Sequence, residues 1–391
     1  MRDAFRSATS GELAGALLDA RDYTLTLFGC LAIAGYGEAD RMPLLDGINP
    51  PLWELGHIAW FAERHVLRKA GGGRQASLLH SGDAWFDAAV VPRAARRALP
   101  LPKAGALKTY CHEVLDRVLD QLSREDGGDA ALYPYRLALA HEDRRGEALA
   151  CAMQALGVAL PPGLSGRSVL RPWAQGEIRF SGGGFSMGSP PGSGFAFDNE
   201  QPAHPCRVAP FVMDSTLVSH AQFAEFIDDG GYRRAALWSR AGREWLVEGR
   251  REAPSGWRRE ESAWHCQRFG RTILPAPHEP ARHISLYEAQ AWCAWAGRRL
   301  PSEEEWEFAA LSAHPALRWG DLWEWTCSPF APYPGAVPGG WRDGSAYRIG
   351  THQAVRGASF ATRERMRSLT TRHSCLPGRN NMFIGFRTCA L

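Results

Sequence analysis

The feature that most constrains this chain is a change of texture near residue 158. Before it, apolar residues recur every three or four positions, the period of helices that bury one face. After it, Gly, Pro and Trp rise, apolar runs shorten, and turn-forming strings such as Ser181-Gly182-Gly183-Gly184-Phe185 become frequent. Most of the 15 tryptophans lie beyond residue 170. The chain has 391 residues, too many for one ordinary core, so the break reads as a domain boundary.

In the first part, Leu13, Leu17, Leu18, Tyr23 and Leu25 predict a first helix. A second starts at Pro51, the favoured first helical position, and is expected to run to the glycine stop Gly71-Gly72-Gly73. A third is expected over 107–123 and a fourth over 135–156, ended by Gly157. Four helices with loops between them suggest a bundle over 1–157, whose interior can hold a metal between facing helices. Residues 158–172 contain Pro161-Pro162-Gly163 and read as a linker. Residues 173–391 predict an irregular α+β domain with little regular sheet, interrupted by helices over 220–227, 285–295 and 301–310.

A net charge of +3 supports neither a nucleic-acid role nor a polybasic membrane role. No run approaches 18 apolar residues, so no membrane span is expected. The N-terminus lacks the apolar core of a signal peptide. Nine cysteines, odd in number and without CxxC spacing, suit reduced thiols in a cytoplasm.

Two histidines stand out. His57 follows Glu54-Leu55-Gly56 on the second helix, and His141 opens His141-Glu142-Asp143-Arg144-Arg145-Gly146-Glu147-Ala148 on the fourth. Histidines on different helices of a bundle can face each other, and imidazole suits iron, zinc, copper or nickel. The plainer reading is a pair of hydrogen-bonded buried histidines.

Six strings in the second part carry more specific information: GGGFSMGS (182–189), FDNEQPAH (197–204), HISLYEAQAWCAWAGRRLPSEEEWEFAA (283–310), DLWEWTCSPFAPYPG (321–335), VRGASFATR (355–363) and FIGFRTCAL (383–391). Each has a structural explanation; in the third, Ser302 reads as the cap of a helix whose first turn is acidic. Together, in this order, they resemble the formylglycine-generating-enzyme fold, in the version of the ergothioneine-type sulfoxide synthases. The strings around 195–204, 141–148 and 376–387 look most similar to the branch that includes selenoneine synthase. The resemblance implies a multidomain α and α+β protein. A DinB-like four-helix bundle would be followed by an irregular domain of the formylglycine-generating-enzyme or C-type-lectin-like kind. It also implies Fe(2+), O2, hercynine and a selenosugar or thiol donor, joined by a C–Se or C–S bond where the two domains meet. Oligomeric state is not legible.

In such enzymes three bundle histidines hold the iron. His57 and His141 match the first two positions, and the third falls on Arg145. Guanidinium has no lone pair to donate. The other positions on the face of His141 are Arg144 and Ala148, which cannot ligate either. Glu54, one turn before His57, is a possible substitute that would complete a two-histidine, one-carboxylate triad. Alternatively it orients His57 or pairs with Arg145. Three readings follow: an iron enzyme with an altered site, a metal-deficient binding homologue, and a regulatory partner of an active enzyme.

The resemblance extends to other residues. Arg96 matches an arginine that grips the donor carboxylate; otherwise it is a surface residue in a basic run with Arg93 and Arg97. Tyr333, between Pro332 and Pro334, matches a proton-donating tyrosine; otherwise it is a turn residue. Ser374 and Cys375 fall on a substrate-contacting strip. Arg379, Asn380 and Asn381 are candidates for polar substrate groups, or for a capped turn. Trp53 or Trp60 could hold a trimethylammonium group by cation–π attraction, or be core. A copper-binding pair of Cys375 and Cys389 is set aside, because the spacing is too wide and the bundle would be unexplained.

Overall fold

The computed structural model describes residues 4–68, 76–125, 127–168, 175–336 and 348–391. The chain forms two compact units. The first comprises Met1–Gly166 with Ser193–Phe195 and Ala361–Met366; the second comprises Arg167–Gly192, Ala196–Phe360 and Arg367–Leu391.

The first unit is helical. Its long helices are α1 (Ser10–Leu31) and α2 (Pro51–Ala62), then α4 (Ala104–Leu122) and α5 (Asp129–Leu156), with a five-residue helix, α3 (Gly82–Phe86), after α2. Helix α1 packs on α5, and α2 packs on both α4 and α5. Thr9 and Glu12 close α1 with a reciprocal capping box. Helix α4 buries Leu107, Tyr110, Cys111, Val114, Leu115, Val118 and Leu122, one stripe at helical spacing. Helix α2 differs: nearly every residue from Pro51 to Ala62 is buried, which marks an interior helix.

Several boundaries depart from expectation. Helix α2 ends at Ala62 and continues as a wider π turn over Glu63–Leu67; the expected glycine stop lies outside the described residues. Helix α5 begins at Asp129, upstream of the expected start at 135, and takes in Pro134, which has no N–H to donate. Arg136 ties down this first part of the helix by donating to Asp129 (2.9 Å) and to the Ala8 carbonyl (3.0 Å). Leu18 is exposed, not core. The expected linker holds a six-residue helix, Pro162–Arg167.

Several charged residues inside this unit are paired. Arg21 grips Glu142 through two contacts of 2.8 and 3.1 Å. Asp143 receives two from Arg365 at 2.7 and 2.9 Å, and Glu147 accepts from Thr362 at 2.7 Å.

The second unit carries more sheet than the sequence suggested. One four-stranded antiparallel sheet is ordered Glu177–Phe180, Phe211–Asp214, Cys389–Ala390, Arg298–Arg299. Another is ordered Arg372–Cys375, Gln353–Gly357, Trp323–Pro329, Ile384–Gly385, with only its last pair parallel. Two- and three-stranded sheets accompany them. These strands run from two to seven residues, too short for an alternating pattern to be read reliably. Helices His220–Asp228, Leu286–Ala296 and Glu303–Leu311 fall where expected, each opened by a capping box on Ser219, Ser285 or Ser302. Helix Arg240–Gly249 was not anticipated; only Gly242 in it is fully buried, and Trp245 and Leu246 pack against the core while partly exposed.

Buried ion pairs organise this unit. Glu303 and Glu307 lie one turn apart on helix Glu303–Leu311; Arg372 grips Glu303 at 2.6 and 2.8 Å, and Arg356 pairs with both glutamates. Arg387 binds Glu324 at 2.5 and 2.8 Å. Among the described residues no helix is long and apolar enough to cross a membrane, and all nine cysteines are free.

Candidate metal centre

The interior helix α2 delivers His57 to the core of the first unit, and α5 delivers His141. Their Nε2 atoms stand 3.1 Å apart, with ring planes inclined by 71°. His57 Nδ1 lies 2.8 Å from the Phe86 carbonyl. A carbonyl only accepts, so this contact places the proton on Nδ1 and leaves the Nε2 lone pair facing His141.

Helix α3 supplies that carbonyl and is tied to α2 at three levels. Trp53 Nε1 donates to the Trp85 carbonyl (2.8 Å), Trp60 Nε1 donates to Asp83 (2.7 Å), and the Phe86 ring packs over Gly56. A Cβ on Gly56 would lie 2.2 Å from that ring, so only glycine allows the approach. The Trp53 ring stacks on His57 at 4.5 Å, and Phe61 lies flat against His141 at 3.7 Å.

Burial in this aromatic box, reinforced by the charge of Arg145, pushes His57 down to about 3. Burial, then His57, then Arg145 hold His141 well below the ordinary range. Both rings are therefore neutral at physiological pH, the state in which imidazole donates to a metal. The separation fits as well. Two imidazole nitrogens bound side by side to one ion at about 2.1 Å each stand about 3 Å apart. Without an ion, 3.1 Å also suits one hydrogen bond donated by His141 to His57. His141 Nδ1 is buried with no partner among the described residues, so the pair is not a closed hydrogen-bonded unit.

No third protein donor joins them. Among the described residues, no group of three or more His, Cys, Asp or Glu is placed to hold an ion. Glu54 is thus not a substitute ligand as the site stands. Its Oε1 accepts from Asn49 (2.6 Å) and lies 3.6 Å from Arg145 Nη1, while Oε2 has no partner. His65, not among the residues singled out above, lies against Phe61 with the rings 4.2 Å apart and tilted by 34°. Phe61 and His65 follow His57 at intervals of four on the same helical run, a spacing that could have flagged both.

The family profile for sulfatase-modifying factor enzyme 1-like domains matches residues 169–319. A hercynine oxygenase of Mycolicibacterium thermoresistibile is 31% identical over 436 aligned positions, spanning 96% of this chain and 94% of that protein. One of Mycolicibacterium smegmatis is 30% identical, over 87% of this chain and 90% of its own length. The chain belongs to the hercynine oxygenase family, the ergothioneine-type sulfoxide synthases. Likeness to formylglycine-generating enzymes is confined to part of it: the one from Streptomyces coelicolor is 35% identical over 38% of this chain and 51% of that protein.

The other positions suggested by likeness to hercynine oxygenases divide between the units. Arg96, in the first, is not a surface residue. It is 6% exposed, lies 3.9 Å over the Trp53 ring, and donates to Asn49 (2.8 Å) and the Val91 carbonyl (3.0 Å). It holds Asn49, which holds Glu54. Trp53 is thereby covered by His57 and Arg96, and Trp60 is buried with its N–H bonded to Asp83; both are core.

In the second unit Tyr333 opens a turn, its carbonyl accepting from the Ala336 N–H (3.0 Å), and its side chain is buried. Its hydroxyl accepts from Arg356 (3.3 Å) and its ring lies under Arg372. Burial and the nearby Glu303 push the phenol well above its ordinary range. Ser374 is buried and accepts from Arg348 (3.4 Å). Cys375 is buried in the core beside Met382, and burial pushes its thiol up to about 11. Cys389 belongs to a separate apolar cluster and is pushed up to about 12, so the two thiols form no copper-binding pair. Arg379 donates to Asn381 (2.8 Å) across a turn that also contains Asn380; all three are partly exposed.

Proposed function

We propose that this chain is a non-haem iron enzyme that uses O2 to join selenium or sulfur to the imidazole ring of hercynine. The relatives spanning almost its whole length are named for hercynine oxidation. The observation that carries the reading is the apposition of two neutral imidazoles, 3.1 Å apart, on the two most interior helices of the first unit. Fe(2+) bound there would supply a template and a redox centre for O2 and the two substrates. The chain's own residues fix the donors. Phe86 holds the His57 ring in one tautomer, Trp53 and Phe61 wall the rings, and burial keeps both free of competing protons.

The helical unit is read as a DinB-like bundle. Selenium is favoured as the transferred element because the strings around 195–204, 141–148 and 376–387 resemble the selenoneine branch, which makes a selenosugar the first donor to test and a thiol the second. Purified protein incubated with Fe(2+), hercynine, O2 and either donor should give a coupled product by mass spectrometry, lost in His57→Ala and His141→Ala. Absence of product from both donors would sink the reading.

Arg145 favours one alternative, a metal-deficient homologue that binds the same small molecules or regulates an active partner. Stoichiometric iron after anaerobic reconstitution excludes it. Hercynine binding without any iron uptake supports it.

A further inference from the structure

Arg145 lies one turn after His141 on the same face of helix α5, so its positive charge sits beside the paired imidazoles. The same field opposes a dication at their Nε2 atoms. Glu54 offsets it only in part: the nearest contact is 3.6 Å, and the oxygen involved already accepts from Asn49. Two buried atoms are left over. Arg145 Nε has no acceptor and Glu54 Oε2 has no donor among the described residues. An internal pair would have satisfied both at hydrogen-bond distance, and this one does not. A guanidinium with an unused donor, beside two neutral metal donors and no third, is arranged to receive an anion.

We propose that the metal centre of this chain is completed from outside by a small monoanion, a carboxylate, halide or thiolate, that Arg145 holds against the ion. This rests on the two-histidine metal reading above. The protein then supplies two neutral donors and one positive charge, and the anion supplies the third donor of a two-histidine triad. No covalent bond is made or broken; one lone pair coordinates, and its charge is shared between the ion and the guanidinium. Metal and anion therefore bind cooperatively, each raising the affinity of the other by the same factor.

The test uses the full chain, Co(2+) as the metal, and methanesulfonate as a weakly coordinating salt at constant ionic strength. Titration calorimetry and visible absorption follow Co(2+) binding as formate or azide replaces methanesulfonate. The affinity should rise by about tenfold or more, within the usual range of coupling between two sites. Arg145→Gln should abolish the anion dependence. Arg145→His should bind Co(2+) tightly with methanesulfonate alone. His65→Ala should behave as the parent does. A thiol without a carboxylate, such as 2-mercaptoethanol, separates the sources. A near-ultraviolet thiolate-to-cobalt band identifies sulfur as the third donor, and its absence, with formate effective, identifies a carboxylate.

Co(2+) affinity that ignores the anion overturns the inference and leaves the metal reading intact. Loss of Co(2+) binding in His65→Ala also overturns it, since the third donor would then lie within the chain. If neither the parent nor Arg145→His takes up Co(2+) under any condition, the metal reading itself falls.

Discussion

One buried cluster in each unit shows two opposite ways of handling charge. In the second, Arg387 spends every nitrogen: Nε and Nη2 on Glu324, Nη1 on the Asp214 and Ser215 carbonyls, and Nη2 again on the Arg318 carbonyl. Glu324 takes Trp306 Nε1 as well, at 2.8 Å. In the first unit, the group around His57 leaves His141 Nδ1, Glu54 Oε2 and Arg145 Nε without partners among the described residues. A closed network fixes one packing of a core, whereas an open one retains valence for something else. The contrast separates a cluster whose polar atoms are all matched from one whose polar atoms are not.

The sharpest way to break this contrast is to open the closed network. Glu324→Ala strands the Arg387 guanidinium and the Trp306 N–H in a dry core, and should cost about 3–5 kcal/mol in urea unfolding. A loss within about 1 kcal/mol would mean that the two regions do not differ in this respect.

Acid tests the open region next. In the unfolded chain His57 titrates near its ordinary 6.5, and in the folded protein near 3, so the unfolded state takes up the proton first. Stability present at neutral pH is therefore lost as pH falls from about 6.5 towards 3. Between pH 7 and pH 4.5 the metal-free protein should lose about 3 kcal/mol more than His57→Asn does. Equal losses would place the imidazole in a wetter setting than described.

Two smaller effects sharpen the picture. Gly56→Ala forces Phe86 off helix α2 and should cost about 1–3 kcal/mol in thermal unfolding, with weakened metal uptake because the carbonyl that aligns His57 moves too. Glu54→Gln removes one partner of a loose ion pair and should change stability by about 1 kcal/mol or less. A large loss there would show that the pair is tighter than 3.6 Å suggests.

Much of the architecture was legible because periodicity and caps are local. The four long helices of the first unit, and the helices opened by Ser219, Ser285 and Ser302, follow from apolar spacing and side-chain capping. The sheets were less legible, because strands of two residues are defined by partners far along the chain. In the site, His57 and His141 could be picked out as residue types on facing helices, but what surrounds them could not. The Phe86 carbonyl has no signature in sequence, and although the spacing from His57 could flag Phe61 and His65, their ring contacts emerge only from packing. Arg96 looked superficial because it sits in a basic run, yet the Trp53 ring and two carbonyls draw it inside. Glu303 and Glu307 looked like the acidic first turn of a helix, and only the fold shows them turned inward to arginines.

The first unit takes in Ala361–Met366, a segment made by the ribosome only after most of the chain. Asp143, two residues from His141, faces Arg365 of that segment, and burial raises its carboxyl to about 6 even so. A nascent chain that has emerged only as far as residue 166 would carry this carboxylate with no counter-ion. Helix α5 thus reaches its final setting near the end of translation, and the interior of the helical unit closes only when the polypeptide is complete.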